Sequence, residues 1–342
     1  NNYIYLADNG RIHANLDLHD EQGTGLSFYT NREDTIAKQD MTVELSRINL
    51  KEFRRILPYM PDMEGWIGAE AHYIDSGPYM MVSSDLRIDE FKYEGSALGN
   101  WELGGVYLPG EAKDHHLDAY IRHDGEEIAH LGGIYLPAEE GTGSLSADIA
   151  FEHFPLNVAN PFVPDRMVEL DGDIDGTLSM KGDPAKPLLN GELALDSVTF
   201  FMPEMSAMFR FDNEPVQVVN SKMMFKEFDI FTKGKTPFTI NGEVDFSDLE
   251  RTAVNLKMHA ENYELLNAPR TKRAMVYGKM YVDFNATLRG PVEELVMRGN
   301  MNILGKTNVT YVLKDSPLTV NDRLGDMVTF VNFNDTTSVE ES

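Results

Sequence analysis

Apolar and polar residues alternate along most of this chain, and the alternation is clearest between residues 240 and 303. Ile240 and Val244 alternate with Asn241 and Asp245, and the same order continues through residues 254–260, 280–288 and 295–303. A period of two is typical of β-strands that bury one face and leave the other in water. Strands of this kind favour an antiparallel sheet over a parallel sheet buried on both faces.

Helix signals are scarce, and the best one lies at residues 49–57. Asn49 is a suitable N-cap, Pro58 ends the segment, and Leu50, Phe53 and Leu57 would share one helical face. So short a helix cannot cover a large sheet. The strands must therefore cover their apolar faces with one another, in a sandwich, a barrel or a sheet folded lengthwise.

Three similar segments recur at nearly equal spacing. Each has a Leu-containing stretch, a Pro and then a Gly-spaced alternating run, and the anchoring glycines are Gly65, Gly172 and Gly278, which are 107 and 106 residues apart. This spacing is typical of repeats that stack on their neighbours. It predicts an incomplete first repeat at 1–64, a second at 65–171, a third at 172–277 and the start of a fourth at 278–342. The predicted fold is all-β: an elongated, repetitive antiparallel sheet folded lengthwise into a trough (β-taco-like), with a hydrophobic interior and few short helices.

A shorter repeat lies inside the second unit. The sequence Gly-Val-Tyr-Leu-Pro at 105–109 returns as Gly-Ile-Tyr-Leu-Pro at 133–137, a shift of 28 residues. Each copy is typical of a strand that runs into a turn.

The charge of the chain excludes several classes of function. With 30 Lys and Arg against 56 Asp and Glu, the net charge is −26, which is unsuited to nucleic acid and to anionic lipid headgroups. There is no Cys, and no run approaches the ~18 apolar residues of a membrane helix. Because residue 1 is Asn, we expect an internal fragment of a longer protein whose targeting segment lies upstream.

No motif indicates catalysis, a metal or a cofactor. Asp171, Asp173 and Asp175 resemble the start of an EF-hand loop, but Gly182 stands where the bidentate Glu is needed, so we expect a solvent-facing strand. Nucleophile elbows and phosphate-binding loops are absent. A group of four histidines is predicted to lie in loops and to bind no zinc: His115, His116, His123 and His130.

The apolar positions of the alternating runs are the candidate functional residues. They contain many Met residues, whose flexible side chains suit a wall that tolerates sliding acyl chains as well as an ordinary core. The predicted lining residues are Ile174, Leu178, Met180, Leu193, Leu195, Ile240, Val244, Phe246, Val254, Leu256, Met258, Met280, Val282, Phe284, Leu288, Leu295, Met297, Met301 and Ile303.

The run at 170–195, with its glycines at 182 and 191, resembles the repeat of the TamB family (translocation and assembly module subunits), which is related to AsmA-like and bridge-like lipid transfer proteins. The run at 278–303, followed by 309–313 and 326–330, resembles the approach to that family's C-terminal domain. Residues 1–153 follow the same pattern more loosely.

The resemblance implies a non-enzymatic protein in the periplasm of a diderm bacterium, anchored in the inner membrane through an upstream segment. It implies a hydrophobic groove that conducts phospholipids to the outer membrane, a role in outer-membrane protein assembly, and contact with an Omp85-type barrel through a C-terminal part expected beyond this chain. Two alternatives stay open: a chaperone-like scaffold that holds unfolded β-barrel segments by strand addition, and a sealed β-sandwich spacer or adhesin stalk.

Overall fold

The computed structural model describes most of the chain up to residue 312. The described residues are 2–31, 37–77, 80–110, 114–138, 141–163, 166–203, 206–248, 251–270 and 276–312. The segment at 326–330 and Leu313, which contribute to the family resemblance, lie outside them.

One twenty-stranded sheet accounts for most of the described residues. Its strands are β1 (Tyr3–Leu6), β2 (Ile12–His19), β3 (Gly25–Thr30), β4 (Gln39–Asn49), β5 (Met63–Asp75), β6 (Met80–Tyr93), β7 (Ser96–Pro109), β8 (His115–His123), β9 (Glu126–Leu136), β10 (Ser144–Pro155), β11 (Glu169–Gly182), β12 (Leu188–Met202), β13 (Ala207–Phe211), β14 (Val216–Val219), β15 (Lys222–Phe231), β16 (Phe238–Asp245), β17 (Ala253–Ala268), β18 (Val276–Pro291), β19 (Val296–Ile303) and β20 (Asn308–Tyr311).

The sheet is an antiparallel meander, as the alternation predicted. From β1 to β12 each strand pairs with the next one along the chain. At two positions in the sheet, two strands take the place of one. β13 and β14 both lie between β12 and β15, and β19 and β20 both pair with β18. At about 4.8 Å per strand, the path across the sheet is roughly 80 Å long.

Helix α1 (Leu50–Ile56) confirms the predicted helix at 49–57. The Asn49 side chain accepts a hydrogen bond from the backbone N–H of Lys51, and Leu50 is buried. Leu57 has left the helical conformation at φ −122° and ψ 80°, so its side chain is exposed and does not share the face of Leu50. A 3-10 helix, Leu156–Phe162, was not predicted, and its Phe162 ring lies 4.6 Å from that of Tyr93.

A line of β-bulges crosses the sheet. Six of the strands that run in the same direction, β4, β6, β10, β12, β15 and β17, carry a register shift partway along their length. In each bulge a non-glycine residue has positive φ, and these residues are Arg47, Glu90, His153, Ser197, Glu227 and Asn262. Because a bulge bends its strand and increases the local twist, the row bends the sheet along one line. The splits between β13 and β14 and between β19 and β20 fall on the same line.

Side chains of the neighbouring strand stabilise four of these bulges. In each case an Asn or Asp oxygen accepts a hydrogen bond of 2.7–2.9 Å from the backbone N–H of the residue with positive φ. The acceptors are Asn100, Asp175, Asn241 and Asp283. Asn and Asp are suited to this role because their short side chains reach backbone groups directly.

The three anchoring glycines share one conformation and one place in the fold. Gly65, Gly172 and Gly278 have φ of +134°, +95° and +115°. Each is the third or fourth residue of its strand (β5, β11 and β18) and is packed against backbone atoms that leave no room for a Cβ. The shared conformation accounts for glycine at these three positions, while the division into stacked units stays a prediction.

The main hydrophobic core lies where the sheet curls. Phe209 on β13, Ile230 on β15 and Leu266 on β17 belong to one buried cluster, which is extended by Val309 on β20. β13 and β17 are in contact although β15 and β16 lie between them in the sheet. The sheet therefore turns its apolar side inward in this part of the molecule.

Candidate functional site

One face of the sheet is apolar from one end to the other. A single row of cross-strand partners runs from β2 to β18 without a break, and Ser84 is its only polar side chain. The row is Leu16, Phe28, Val43, Ala71, Ser84, Gly105, Ala119, Leu131, Ile149, Leu178, Gly191, Val218, Met223, Val244, Val254 and Gly290. We call the face that carries this row the apolar face.

The next row of partners lies on the opposite face and is mostly polar or charged. It contains Ser27, Glu44, Glu70, Asp85, Gly104, Tyr120, His130, Ala150, Thr177, Glu192, Gln217, Met224, Glu243, Asn255 and Arg289. We call this the polar face. The apolar face continues on the same side of the sheet beyond the bulges. Phe228 and Tyr263, which follow the bulges in β15 and β17, pair with Ile240 and Val282 on that face.

The pairing register brings the predicted lining residues together. Seventeen of the nineteen fall within strands, and all seventeen lie on the apolar face: for example, Leu256 faces Leu288, which faces Met297. Phe246 directly follows β16 and Leu295 directly precedes β19. The pairing establishes that these seventeen residues share one face of the sheet. Their contact with lipid is a proposal.

The apolar face is not uniformly buried. Val282 and Met258 are buried on β18 and β17, whereas Met297 and Met301 on β19 are 59% and 49% exposed. Every residue of β19 is exposed, and among the described residues this strand pairs only with β18. From β17 to β19 the apolar face therefore passes from a packed core to open apolar surface.

An apolar cavity of about 250 Å³ lies against this face at the line of bulges. It is lined by residues from β12 to β19: Phe200, Phe209, Ile230, Phe238, Met258, Tyr263, Leu265, Val282, Phe284, Met297 and Met301. The volume is just under the range of about 300–1,000 Å³ common for small-molecule pockets. It suits a length of hydrocarbon chain better than a whole lipid.

Tyr263 is the polar member of this lining. It is buried, and its hydroxyl has no hydrogen-bond partner of normal geometry. Burial raises the pKa of Tyr263 well above its usual range. The sequence analysis missed Tyr263 and Phe200, because bulges interrupt the period of two just before them, and it missed Phe209, which lies in the short strand β13.

A larger, polar cavity of about 430 Å³ lies between the 3-10 helix and the ends of β7 and β8. Its lining includes Asp124, Arg166 and Glu169. The Asp124 carboxylate accepts hydrogen bonds from the backbone N–H and the side-chain amide of Asn100, and this bonding lowers the pKa of Asp124. These side chains are exposed, and Arg166 also donates to the Ser96 hydroxyl at 3.2 Å.

The four histidines predicted to lie in loops are in strands, so that prediction was wrong. His115, His116 and His123 belong to β8 and His130 to β9, because the turns between these strands are tighter than the sequence suggested. Neighbours on one strand point to opposite faces, so His115 is on the apolar face and His116 on the polar face. No group of three or more metal-ligating side chains occurs among the described residues.

The acidic run at 171–175 lies in β11, where the sequence analysis placed a strand. Asp173 and Asp175 pair with Asp196 and Ala194 on the polar face, and Asp175 stabilises a bulge by accepting from the N–H of His153.

The polar face also carries a network around Tyr120, whose hydroxyl lies 2.9 Å from both Asp85 and Glu102. Burial, together with these two carboxylates, raises the pKa of Tyr120 to about 12.

The fold and the apolar face define a class: an all-β protein built as one long, one-sided antiparallel sheet that curls around its apolar face. Residues 227–342, about a third of the chain, match the family model described as the TamB C-terminal domain. This part of the chain is therefore similar to the TamB C-terminal domain, and the TamB family is a non-enzymatic family of the bacterial envelope associated with outer-membrane protein assembly and lipid transport.

The match begins upstream of Gly278, so it already covers the segments that resembled the approach to the C-terminal domain, and at least part of that domain lies within this chain. No curated protein and no solved structure matches the chain. No helix of the described residues is long and apolar enough to cross a membrane.

Proposed function

We propose that the apolar face is the wall of a groove that conducts phospholipids between the inner and outer membranes, with the acyl chains on the wall and the headgroups at its open side. The unbroken apolar row from Leu16 to Gly290 supports this proposal most directly. The row would provide similar apolar surface at each step along the roughly 80 Å path across the sheet.

The energetics suit transport better than storage. Burial of hydrocarbon contributes about 0.8 kcal/mol per CH₂, so an acyl chain gains by staying on the wall. Because successive positions of the row carry similar side chains, the chain gains little by preferring one of them. Movement along the groove therefore takes small steps between sites of similar free energy. The many Met residues, among them Met180, Met258 and Met297, adapt to chains in different positions.

The proposal includes the setting that the family suggests. The chain acts in the periplasm without catalysis or cofactor, continues upstream to an inner-membrane anchor, and delivers lipid beside an Omp85-type barrel of the outer membrane. The stacked units 65–171 and 172–277 would each contribute a section of the wall.

A charge placed on the wall tests the groove. Leu256 lies on the apolar face in the row of Gly242 and Leu288, and Lys257 is its neighbour on the polar face. In a groove open to water, Leu256→Glu lowers stability but leaves the fold intact, and it blocks lipid passage at that level; Lys257→Glu does neither. The measurements are far-UV circular dichroism and photo-crosslinking of phospholipid at groove positions on either side of residue 256. Unchanged crosslinking in folded Leu256→Glu contradicts the proposal.

A second candidate is the chaperone-like scaffold, and the observation that favours it is β19. Its backbone edge and its apolar side chains are both exposed, which is the arrangement that strand addition requires. A spin label at Asn300 tests it: an unfolded β-barrel peptide, but not phospholipid, would immobilise the label.

The third alternative, a sealed sandwich, needs two sheets packed face to face. The strands described here belong to one sheet, so this alternative has the least support.

A further inference from the structure

The two copies of the 28-residue repeat place a Tyr on either side of His115. Tyr135 on β9 is the direct cross-strand partner of His115 on β8, and Tyr107 on β7 lies diagonally from it, next to its partner Pro109. The ring centroid of His115 is 5.5 Å from that of Tyr107 and 5.7 Å from that of Tyr135. All three rings are on the apolar face, where side chains with polar tips are scarce.

One hydrogen-bond donor of the Tyr107–His115 pair is not used in the contact between the two side chains. The Tyr107 hydroxyl is in contact with Nδ1 of His115, and no other partner of His115 occurs among the described residues. If the hydroxyl donates, the neutral imidazole carries its hydrogen on Nε2; if Nδ1 donates, the phenolic hydrogen is left over. In either case one N–H or O–H group on the apolar wall has no acceptor among the residues that the structure describes. The Tyr135 hydroxyl is already engaged, because it donates to the carbonyl oxygen of Thr142 at 3.0 Å.

The wall beside these rings is shallow. The glycines of the two repeats, Gly105 and Gly133, lie on the apolar face next to Ala119 and Ala147. A Cβ on Gly133 would stand 2.5 Å from the Cβ of Ala147, so the repeat needs glycine there. The small side chains leave space along the rings for a chain that approaches over the wall.

The charges nearby favour an uncharged acceptor. The apolar-face positions of β7, β8 and β9 hold no Lys or Arg, and the chain as a whole carries a net charge of −26. Among the described residues of this part of the apolar face a phosphate would find no fixed cation, whereas an ester carbonyl needs only a neutral donor. We infer that the remaining donor of the Tyr107–His115 pair, beside the Tyr135 ring, binds an ester carbonyl of a diacyl lipid, while the acyl chains lie along the apolar face. This inference rests on the proposed function.

Native mass spectrometry of the chain tests the inference with an equimolar mixture of dipalmitoyl phosphatidylethanolamine and its dihexadecyl ether analogue. The two probes share the headgroup and chain length but only the first has carbonyls, and they differ in mass, so one spectrum gives their bound ratio. We expect the ester lipid to be bound about fivefold more than the ether lipid, the ratio that one neutral hydrogen bond supports.

Two variants locate the preference. The double change Tyr107→Phe with His115→Leu, which removes both possible donors, should bring the ratio to about one, and the matched change on the polar face, His116→Leu, should leave it unchanged. A ratio of one in the unaltered chain overturns the inference while the proposed groove stands, and this comparison needs no variant to fold. Absence of both lipids overturns the groove as well. A preference that survives in the double variant also overturns the assignment to this cluster.

Discussion

The carboxylate of Asp283 on β18 accepts a hydrogen bond of 2.7 Å from the backbone N–H of Asn262, the residue at which β17 bulges. Asn262 has φ +51°, a conformation that costs free energy for any residue other than glycine. The hydrogen bond compensates part of that cost. It also holds the bend beside the residues that line the apolar cavity, Tyr263 and Val282.

Asp283→Ala should therefore destabilise the protein by about 1 kcal/mol, the usual net contribution of such a bond where water can replace it. Urea unfolding followed by circular dichroism measures the change. Asp283→Asn is the matched control, because its amide oxygen can still accept from Asn262. Equal stability of Asp283→Ala and the unaltered chain would show that the bulge does not depend on this contact.

Gly278→Ala should be more damaging. Gly278 has φ +115°, and a Cβ built on it would stand 2.1 Å from the carbonyl oxygen of Asn308. We expect a loss of roughly 2 kcal/mol or more in the free energy of unfolding, since both the conformation and the pairing with β20 are disturbed. Gly305→Ala, where a Cβ meets nothing within 4 Å, should change it by less than about 0.5 kcal/mol. Similar effects of the two substitutions would contradict the role given to the anchoring glycines.

Tyr263→Phe should leave the stability unchanged or raise it. The hydroxyl of Tyr263 is buried without a partner, and removing an unsatisfied polar group removes its desolvation penalty. The melting temperature, compared with that of the unaltered chain, is the measurement. Tyr281→Phe provides the contrast, because the Tyr281 hydroxyl donates to Glu264 at 2.7 Å. A clear loss of stability in Tyr263→Phe would mean that its hydroxyl is bonded in solution.

Tyr120 should make the stability depend on pH in the alkaline range. Its pKa is about 12 in the folded chain and about 10 in an unfolded one, so the folded state holds the phenolic proton more tightly. The resulting stabilisation is complete below about pH 10 and is lost as the pH rises toward 12. Urea midpoints between about pH 9 and 11 should fall less steeply in Tyr120→Phe. Tyr59→Phe, at a fully exposed position, should follow the unaltered chain.

Local patterns predicted much of the architecture. The alternation at 254–260 placed Leu256 and Met258 on one face, and the cross-strand partners bear this out. Asn49 and Pro58 located helix α1, because capping and helix termination depend on residues close in sequence. Gly65, Gly172 and Gly278 stood out for a reason that the structure supplies: each needs positive φ and close contact with backbone atoms.

Other features could not be read from single segments. The histidines of β8 and β9 were taken for loop residues, although the Asp124-Gly125 pair is a hairpin signal that allows strands on both sides of it. No glycine marks the bulge at Asn262 in the sequence. The carboxylate that accepts the hydrogen bond from its backbone N–H, that of Asp283, lies on the next strand. The cluster of Tyr107, His115 and Tyr135 likewise needs the register of three strands.

The sequence by itself determined the strands, their two faces and the antiparallel class, because a period of two depends on neighbouring residues alone. Only the tertiary structure decided that the apolar faces of separate strands join into one row from Leu16 to Gly290, since that row depends on register across the whole sheet. It also decided where the sheet bends and which part of the apolar face is left exposed. Met258 and Met301 have similar local patterns, yet one is buried in the curled sheet and the other is half exposed on its last strand, because burial depends on what other strands cover.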